Sequence, residues 1–115
     1  MATPSKTPQA GKRPVIVTIY IVDKAIVVDP PKFEVSKKHK EEVQWHCGLK
    51  HTTHDPKGCF HAHFEKDSPF SGSEFRKHME LSGPPKETAV IGQEYKYTVK
   101  IDGYKPLDPI GVVRP

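Results

Sequence analysis

Residues 15–22 read VIVTIYIV, a continuously apolar and largely β-branched run. This composition is typical of a buried β-strand, and the run is too short for a transmembrane span. Residues 25–28 continue it after a turn predicted at Asp23-Lys24. Asp29-Pro30-Pro31 then ends the run, because proline cannot donate a ladder hydrogen bond. The opening of the chain therefore predicts an all-β protein.

Shorter segments downstream alternate between apolar and polar residues, which is the period of a half-buried strand. The clearest is 95–101, with Tyr95, Tyr97, Val99 and Ile101 on one face. We expect one helical turn, at 74–81, with Phe75 and Met79 facing inward. The other predicted strands are 33–35, 41–47, 59–64, 88–91 and 107–113. Short strands at this spacing predict an antiparallel sandwich or barrel in one domain.

Charge and composition exclude several classes of function. The chain has 115 residues and a net charge of +4, of which Lys6, Lys12 and Arg13 supply three. These three lie in residues 1–13, a polar segment that predicts a disordered basic tail before a domain at 14–115. Because Lys and Glu are interleaved in the remaining chain, we expect no nucleic-acid partner. The expected oligomeric state is a monomer. Without a secretory or membrane-spanning run, the expected location is cytoplasmic, or periplasmic if a leader has been removed.

Residues 46–63 hold five of the seven histidines and both cysteines. Imidazole and thiolate are the side chains that best hold zinc and copper, so a transition-metal site is one interpretation. Incidental surface histidines are another, and the two cysteines are equally compatible with a disulfide. The candidate metal ligands are His46, Cys47, His51, His54, Cys59, His61 and His63.

The spacing within this region favours one chelating pair. His61 and His63 lie two residues apart on the predicted strand 59–64, so their side chains share a face about 6.5 to 7 Å apart, and Cys59 is predicted to lie on the same face. His46 has the parity of a residue that points away from the core, whereas Cys47 shares the inward face of Trp45. Three imidazoles around an open position would suit a zinc hydrolase, for which Glu65 is the one nearby general base.

Four segments in order resemble the cupredoxin family. EEVQWHC at 41–47 is similar to the "EVTWVN" strand of that family, and FHAHF at 60–64 to its histidine-bearing strand. GQEYKYTV at 92–99 resembles the "G-x-Y-x-Y-x-C" strand before the copper loop, and LDPIGVVRP at 107–115 resembles the last strand. The resemblance covers residues 14–115. It implies a Greek-key β-sandwich of seven or eight antiparallel strands.

The chain departs from this family where copper would bind. A blue-copper site takes two imidazoles, one thiolate and a weak axial ligand. In the family, three of these four come from the loop after the penultimate strand, which here reads VKIDGYKPL at 99–107. Val99 stands at the thiolate position, and only His61 or His63 matches the remaining imidazole. The resemblance therefore implies the fold without the electron-transfer centre.

The expected function is that of a non-catalytic, cupredoxin-like binding protein whose partner is an unidentified protein or small molecule. The alternative is a copper- or zinc-binding protein that uses residues 46–63. A zinc-dependent hydrolase is the third hypothesis. The sequence contains no serine-hydrolase motif, phosphate-binding glycine loop or H-E-x-x-H pair that would point to another enzyme class.

Overall fold

The computed structural model describes residues 13–49 and 59–115. This part of the chain forms ten strands and no helix, so it contains no helix long and apolar enough to cross a membrane. The strands are β1 (Val15–Val22), β2 (Ala25–Asp29), β3 (Lys32–Ser36), β4 (Val43–Cys47), β5 (His61–His63), β6 (Glu74–Phe75), β7 (Glu80–Leu81), β8 (Glu94–Lys96), β9 (Thr98–Lys100) and β10 (Ile110–Arg114). The predicted tail lies outside the described residues except for Arg13, which is exposed.

One sheet has the strand order β2-β1-β4-β7. The apolar run VIVTIYIV forms β1, which pairs antiparallel with β2 and parallel with β4, while β7 pairs antiparallel with the other edge of β4. The β1–β2 hairpin closes at Asp23 and Lys24, both with positive φ (51° and 65°), as a tight two-residue turn requires. The turn predicted at these two residues is present.

The opposite layer consists of two three-stranded sheets, in the orders β3-β10-β8 and β6-β5-β9. Strands β8 and β9 belong to one extended segment interrupted only at Tyr97, so this segment is shared by both sheets. β10 runs parallel to β3 and antiparallel to β8. A cis peptide bond before Pro30 marks the corner between β2 and β3.

The core lies between the two layers and is rich in aromatic rings. Trp45 of β4 contacts Tyr97 edge-on, with ring centroids 5.3 Å apart, and stacks on Phe75 at 5.3 Å. Phe33 contacts both Trp45 and Tyr97 from β3. Because side chains from both layers interdigitate here, the prediction of an all-β, sandwich-like fold is confirmed. The prediction of seven or eight strands in purely antiparallel pairing is wrong, because the described residues form ten strands and β1 pairs parallel with β4, as β10 does with β3.

Two local predictions are wrong. Residues 74–81 form β6, a turn and β7 instead of a helical turn, and Met79 is half exposed. The carboxylate of Glu80 accepts the N–H groups of Arg76 and Lys77, and the N–H of Met79 donates to the carbonyl of Trp45. These bonds satisfy the backbone at the edge of β4, so strand pairing prevails over the helical spacing.

Residues 88–91 are the second case, because they form no strand. The N–H of Ala89 donates to the carbonyl of Lys86, and the N–H of Val90 donates to the Tyr95 hydroxyl. These local bonds shape a loop in which Ala89 is buried while Val90 and Ile91 are half exposed. Two apolar loop residues, Val90 and Ile91, therefore gave the sequence the pattern that is typical of a short strand.

Candidate functional site

Of the predicted cluster, the described histidines His46, His61 and His63 belong to two different sheets. His46 follows the fully buried Trp45 on β4, whereas His61 and His63 flank the fully buried Ala62 on β5. Since alternate residues of a strand point to opposite faces, His46 points out of one layer and the other two point out of the second layer. His51 and His54 lie outside the described residues.

Cys47 and Cys59 are joined by a disulfide, with their Cα atoms 6.2 Å apart. The bond links the end of β4 to the segment that enters β5, and both residues are buried at the edge of the core. Metals bind the thiolate form of cysteine, so neither residue is a metal ligand while this bond is present. Cys59 precedes β5, and for this reason it does not share the outward face of His61 and His63 as the alternation predicted.

His46 pairs with His78, a residue that the sequence did not mark as part of a site. Their rings are 5.3 Å apart at 78°. Burial and the neighbouring His78 both lower the pKa of His46 from its ordinary value of 6.5, burial being the larger cause. His46 lies in β4 and His78 in the distant β6–β7 turn, so no local pattern could have revealed the pair.

Hydrogen bonds fix both rings of this pair. Nε2 of His46 bonds Oε1 of Gln44 at 2.8 Å, and the Gln44 amide donates to the carbonyl of Met79. Because the amide oxygen only accepts, Nε2 of His46 carries the proton. Nδ1 of His78 accepts the backbone N–H of Cys47 at 2.9 Å. The pair therefore attaches the β6–β7 turn to the end of β4 beside the disulfide.

His61 and His63 form a second pair, stacked with ring centroids 5.6 Å apart and planes 8° apart. Nε2 of His61 bonds Oε1 of Glu74 on the neighbouring β6 at 3.0 Å, and the guanidinium of Arg76 donates to the same oxygen at 2.9 Å. The hydrogen bond from Arg76 and then that from His61 lower the pKa of the fully exposed Glu74. The carboxylate therefore stays ionised beside the imidazole.

Within residues 13–49 and 59–115, no three His, Cys, Asp or Glu side chains are grouped so that they could hold one metal ion. A zinc hydrolase of the expected kind needs three imidazoles around one ion, and His46 is separated from His61 and His63 by the core. β5 ends at His63, so Glu65 lies beyond the strand. Glu65 is exposed, and because it lies outside the strand, the alternation of side chains does not put it on the same face as His61 and His63.

The segment after β9 has no ligand set in the structure either. Val99 is fully buried and forms an antiparallel bridge with Leu107, with hydrogen bonds of 2.7 and 3.1 Å. Ile101 packs against the core at the same end of the sandwich. The residue that the resemblance to cupredoxins would place at the copper thiolate is thus a buried aliphatic side chain.

A surface cavity of about 390 Å³ lies beside β8. Its wall combines four carboxylates with two lysines, and two of the carboxylates already have partners: Asp67 accepts from Lys86 and Asp108 from Thr98. The volume lies within the range of small-molecule sites, but the wall is charged where such sites are mostly apolar. The lining residues are Glu65, Lys66, Asp67, Gln93, Glu94, Tyr95, Lys96, Thr98 and Asp108.

No protein-family model, curated protein or solved structure matches this chain. The functional interpretation therefore depends on the residues and geometry of the chain itself.

Proposed function

We propose that this chain is a cupredoxin-like β-sandwich that binds a partner without catalysing a reaction and without a blue-copper centre. The observation that carries the proposal is the buried Val99, which pairs with Leu107 where the family places its copper thiolate. An aliphatic side chain there offers no electron pair to a metal.

The strand connections support the cupredoxin-like assignment. Strands β2 and β3 follow each other through a corner at Pro30 yet belong to opposite layers. Consecutive strands that change layers support the proposed sandwich, in which Greek-key connections join the two layers.

The absence of an assembled catalytic group supports the non-catalytic part. In the described part of the chain, both cysteines are in the disulfide and no three potential metal ligands converge. His46 and His78 have ring nitrogens engaged by Gln44 and by the backbone of Cys47. A general base needs a nucleophile or a metal-bound water within hydrogen-bond reach, and the Gln44 side chain and the Cys47 backbone N–H are neither.

The disulfide also bears on location. Disulfides persist in oxidising compartments and are rare in the cytosol. Of the two expected locations, we therefore propose the periplasm or an equivalent oxidising space.

Copper reconstitution tests the main proposal. The reduced protein, in which both thiols are free, is titrated with Cu²⁺ while the visible spectrum is recorded, and we expect no intense copper–thiolate charge-transfer band. Such a band at one equivalent of copper would overturn the proposal. In parallel, zinc-loaded protein is assayed on generic esters, and hydrolysis that follows the zinc content would overturn the non-catalytic part.

Binding of copper or zinc without electron transfer is a second candidate function. The pair His61 and His63 favours it, because their imidazole rings lie 5.6 Å apart on the same strand. Metal analysis of untagged protein tests it: we expect close to one equivalent of bound copper or zinc, and uptake of none at micromolar concentration would reject it.

A further inference from the structure

We propose that His61 and His63 form a surface chelate for a divalent transition-metal ion, with Cu²⁺ preferred, in which Glu74 holds His61 in the ligating tautomer. This inference rests on the second candidate function, metal binding, and is independent of the cupredoxin-like assignment. The site lies on the outer face of β5, whereas Val99, in register with Ala62 on the neighbouring β9, is buried in the core.

Both rings are accessible and adjacent. The side chain of His61 is 30% exposed, and its ring is stacked on that of His63 at 5.6 Å with nearly parallel planes. Alternate residues on a strand are about 6.6 Å apart, so two such rings need only lean together to share one ion. Metal–nitrogen bonds of about 2.0–2.1 Å require the two ligating nitrogens to approach to roughly 3–4 Å.

The hydrogen bond to Glu74 determines which nitrogen of His61 can bind. An ionised carboxylate only accepts, so the proton of a neutral His61 lies on Nε2 and the lone pair lies on Nδ1. Metal-bound histidines commonly donate their other N–H to a carboxylate, which orients the ring and raises its basicity. Among the described residues, no hydrogen bond engages the ring of His63, so its tautomer is free to adjust.

The other imidazole pair is less suited to a metal ion. Nδ1 of His78 accepts the N–H of Cys47, and Nε2 of His46 donates to Gln44. A metal ion on Nδ1 of His78 would leave a backbone N–H at the end of β4 without its acceptor. We therefore assign the metal to β5 and treat His46 as the matched control.

Nearby charges set the affinity and the choice of metal. The Glu74 carboxylate also forms an ion pair with Arg76, and Lys100 lies opposite His61 on the neighbouring β9. Two cations therefore repel the incoming metal ion. Two imidazoles and water give an incomplete ligand set, which favours the metal that forms the strongest nitrogen bonds. In the usual order of divalent stability this metal is Cu²⁺, ahead of Zn²⁺ and Ni²⁺.

The test is calorimetric and EPR titration of untagged, oxidised protein with Cu²⁺ alone. We expect one equivalent to bind with nitrogen hyperfine structure. His61→Gln and His63→Gln should each weaken binding by about 100-fold, because the chelate is lost. Glu74→Gln should weaken it by about 10-fold, since it removes the charge but keeps an acceptor for Nε2 of His61.

His46→Gln is the matched control and should leave the affinity unchanged. Thermal unfolding of each variant verifies that it is folded, which these outward positions should allow. The proposal is overturned if the His61→Gln/His63→Gln double variant still binds Cu²⁺ with wild-type affinity. It is also overturned if binding is lost only in His46→Gln or in a His51→Gln/His54→Gln variant. Either result would leave the assignment of the sandwich itself unaffected.

Discussion

The imidazole rings of His46 and His78 lie 5.3 Å apart beside the end of β4, and Nδ1 of His78 accepts the N–H of Cys47. Burial and the proximity of His78 lower the pKa of His46. On the neighbouring strand β1, the residue in register with His46 is the uncharged Thr18. The remaining ionisable groups of the β6–β7 segment are Glu74, Arg76, Lys77 and Glu80.

We predict that the protein loses stability as the pH falls below about 6.5. The unfolded chain protonates His46 at its ordinary pKa of 6.5, whereas the folded protein resists protonation until a lower pH. The unfolded state therefore binds more protons in that interval, and the free energy of unfolding decreases with falling pH. Urea unfolding at a series of pH values between about 8 and about 5 measures this slope.

His46→Gln should flatten this slope. His78→Gln should reduce it in part, because it removes the neighbouring imidazole but keeps an amide acceptor for the N–H of Cys47. A slope that stays the same in His46→Gln would show that other groups cause the acid sensitivity.

Removal of the Cys47–Cys59 disulfide should lower the free energy of unfolding by about 3 kcal/mol. The bond closes a loop with a sequence separation of 12, and its main effect is to restrict the unfolded chain. The Cys47→Ala/Cys59→Ala variant and the wild type are compared by denaturant unfolding with and without reductant. Reductant should bring the wild type close to the variant and leave the variant unchanged; equal stability of both proteins without reductant would refute the prediction.

Two buried tyrosines should respond in opposite ways to loss of the hydroxyl. The hydroxyl of Tyr97 is fully buried with no hydrogen-bond partner among the described residues, and burial raises its pKa. The hydroxyl of Tyr95 accepts the N–H of Val90 at 2.8 Å. Tyr97→Phe should therefore stabilise the fold by up to about 1 kcal/mol, whereas Tyr95→Phe should destabilise it by about 1 kcal/mol.

Denaturant unfolding of the two variants checks this pair of predictions. Since the substitution is the same, each variant is the control for the other. Destabilisation of equal size in both would indicate that the Tyr97 hydroxyl has a partner in solution.

Gly111→Ala should destabilise the fold by about 2 kcal/mol or more. The ring of Phe33 packs directly over Gly111, in the space that a β-carbon would occupy, and Phe33 is fully buried. Gly72→Ala is the matched control: its added methyl group would lie 3.8 Å from Phe75, an ordinary contact, and should change stability by less than about 0.5 kcal/mol. If the melting temperatures of the two variants differ by less than experimental error, this result would contradict the close approach of Phe33 to Gly111.

The pattern of hydrophobic residues predicted most strands because it is local. VIVTIYIV forms β1, and the alternation around Trp45 and Ala62 correctly separates buried side chains from the outward His46, His61 and His63. The alternation failed at Cys59, where the chain precedes β5 and the disulfide directs the side chain inward. The helical turn predicted at 74–81 was also wrong, because pairing with the edge of β4 prevailed over the helical spacing of apolar residues.

The sequence by itself determined the all-β class, the inward and outward faces of the strands and the lack of copper ligands at 99–107. Each of these follows from residues that are neighbours along the chain. Only the tertiary structure decided that His46 joins His78 while His61 joins His63 and Glu74, and that Cys47 bonds Cys59. Strand order places these residues, and it is fixed by burial of the whole aromatic core between two layers, which no local pattern encodes.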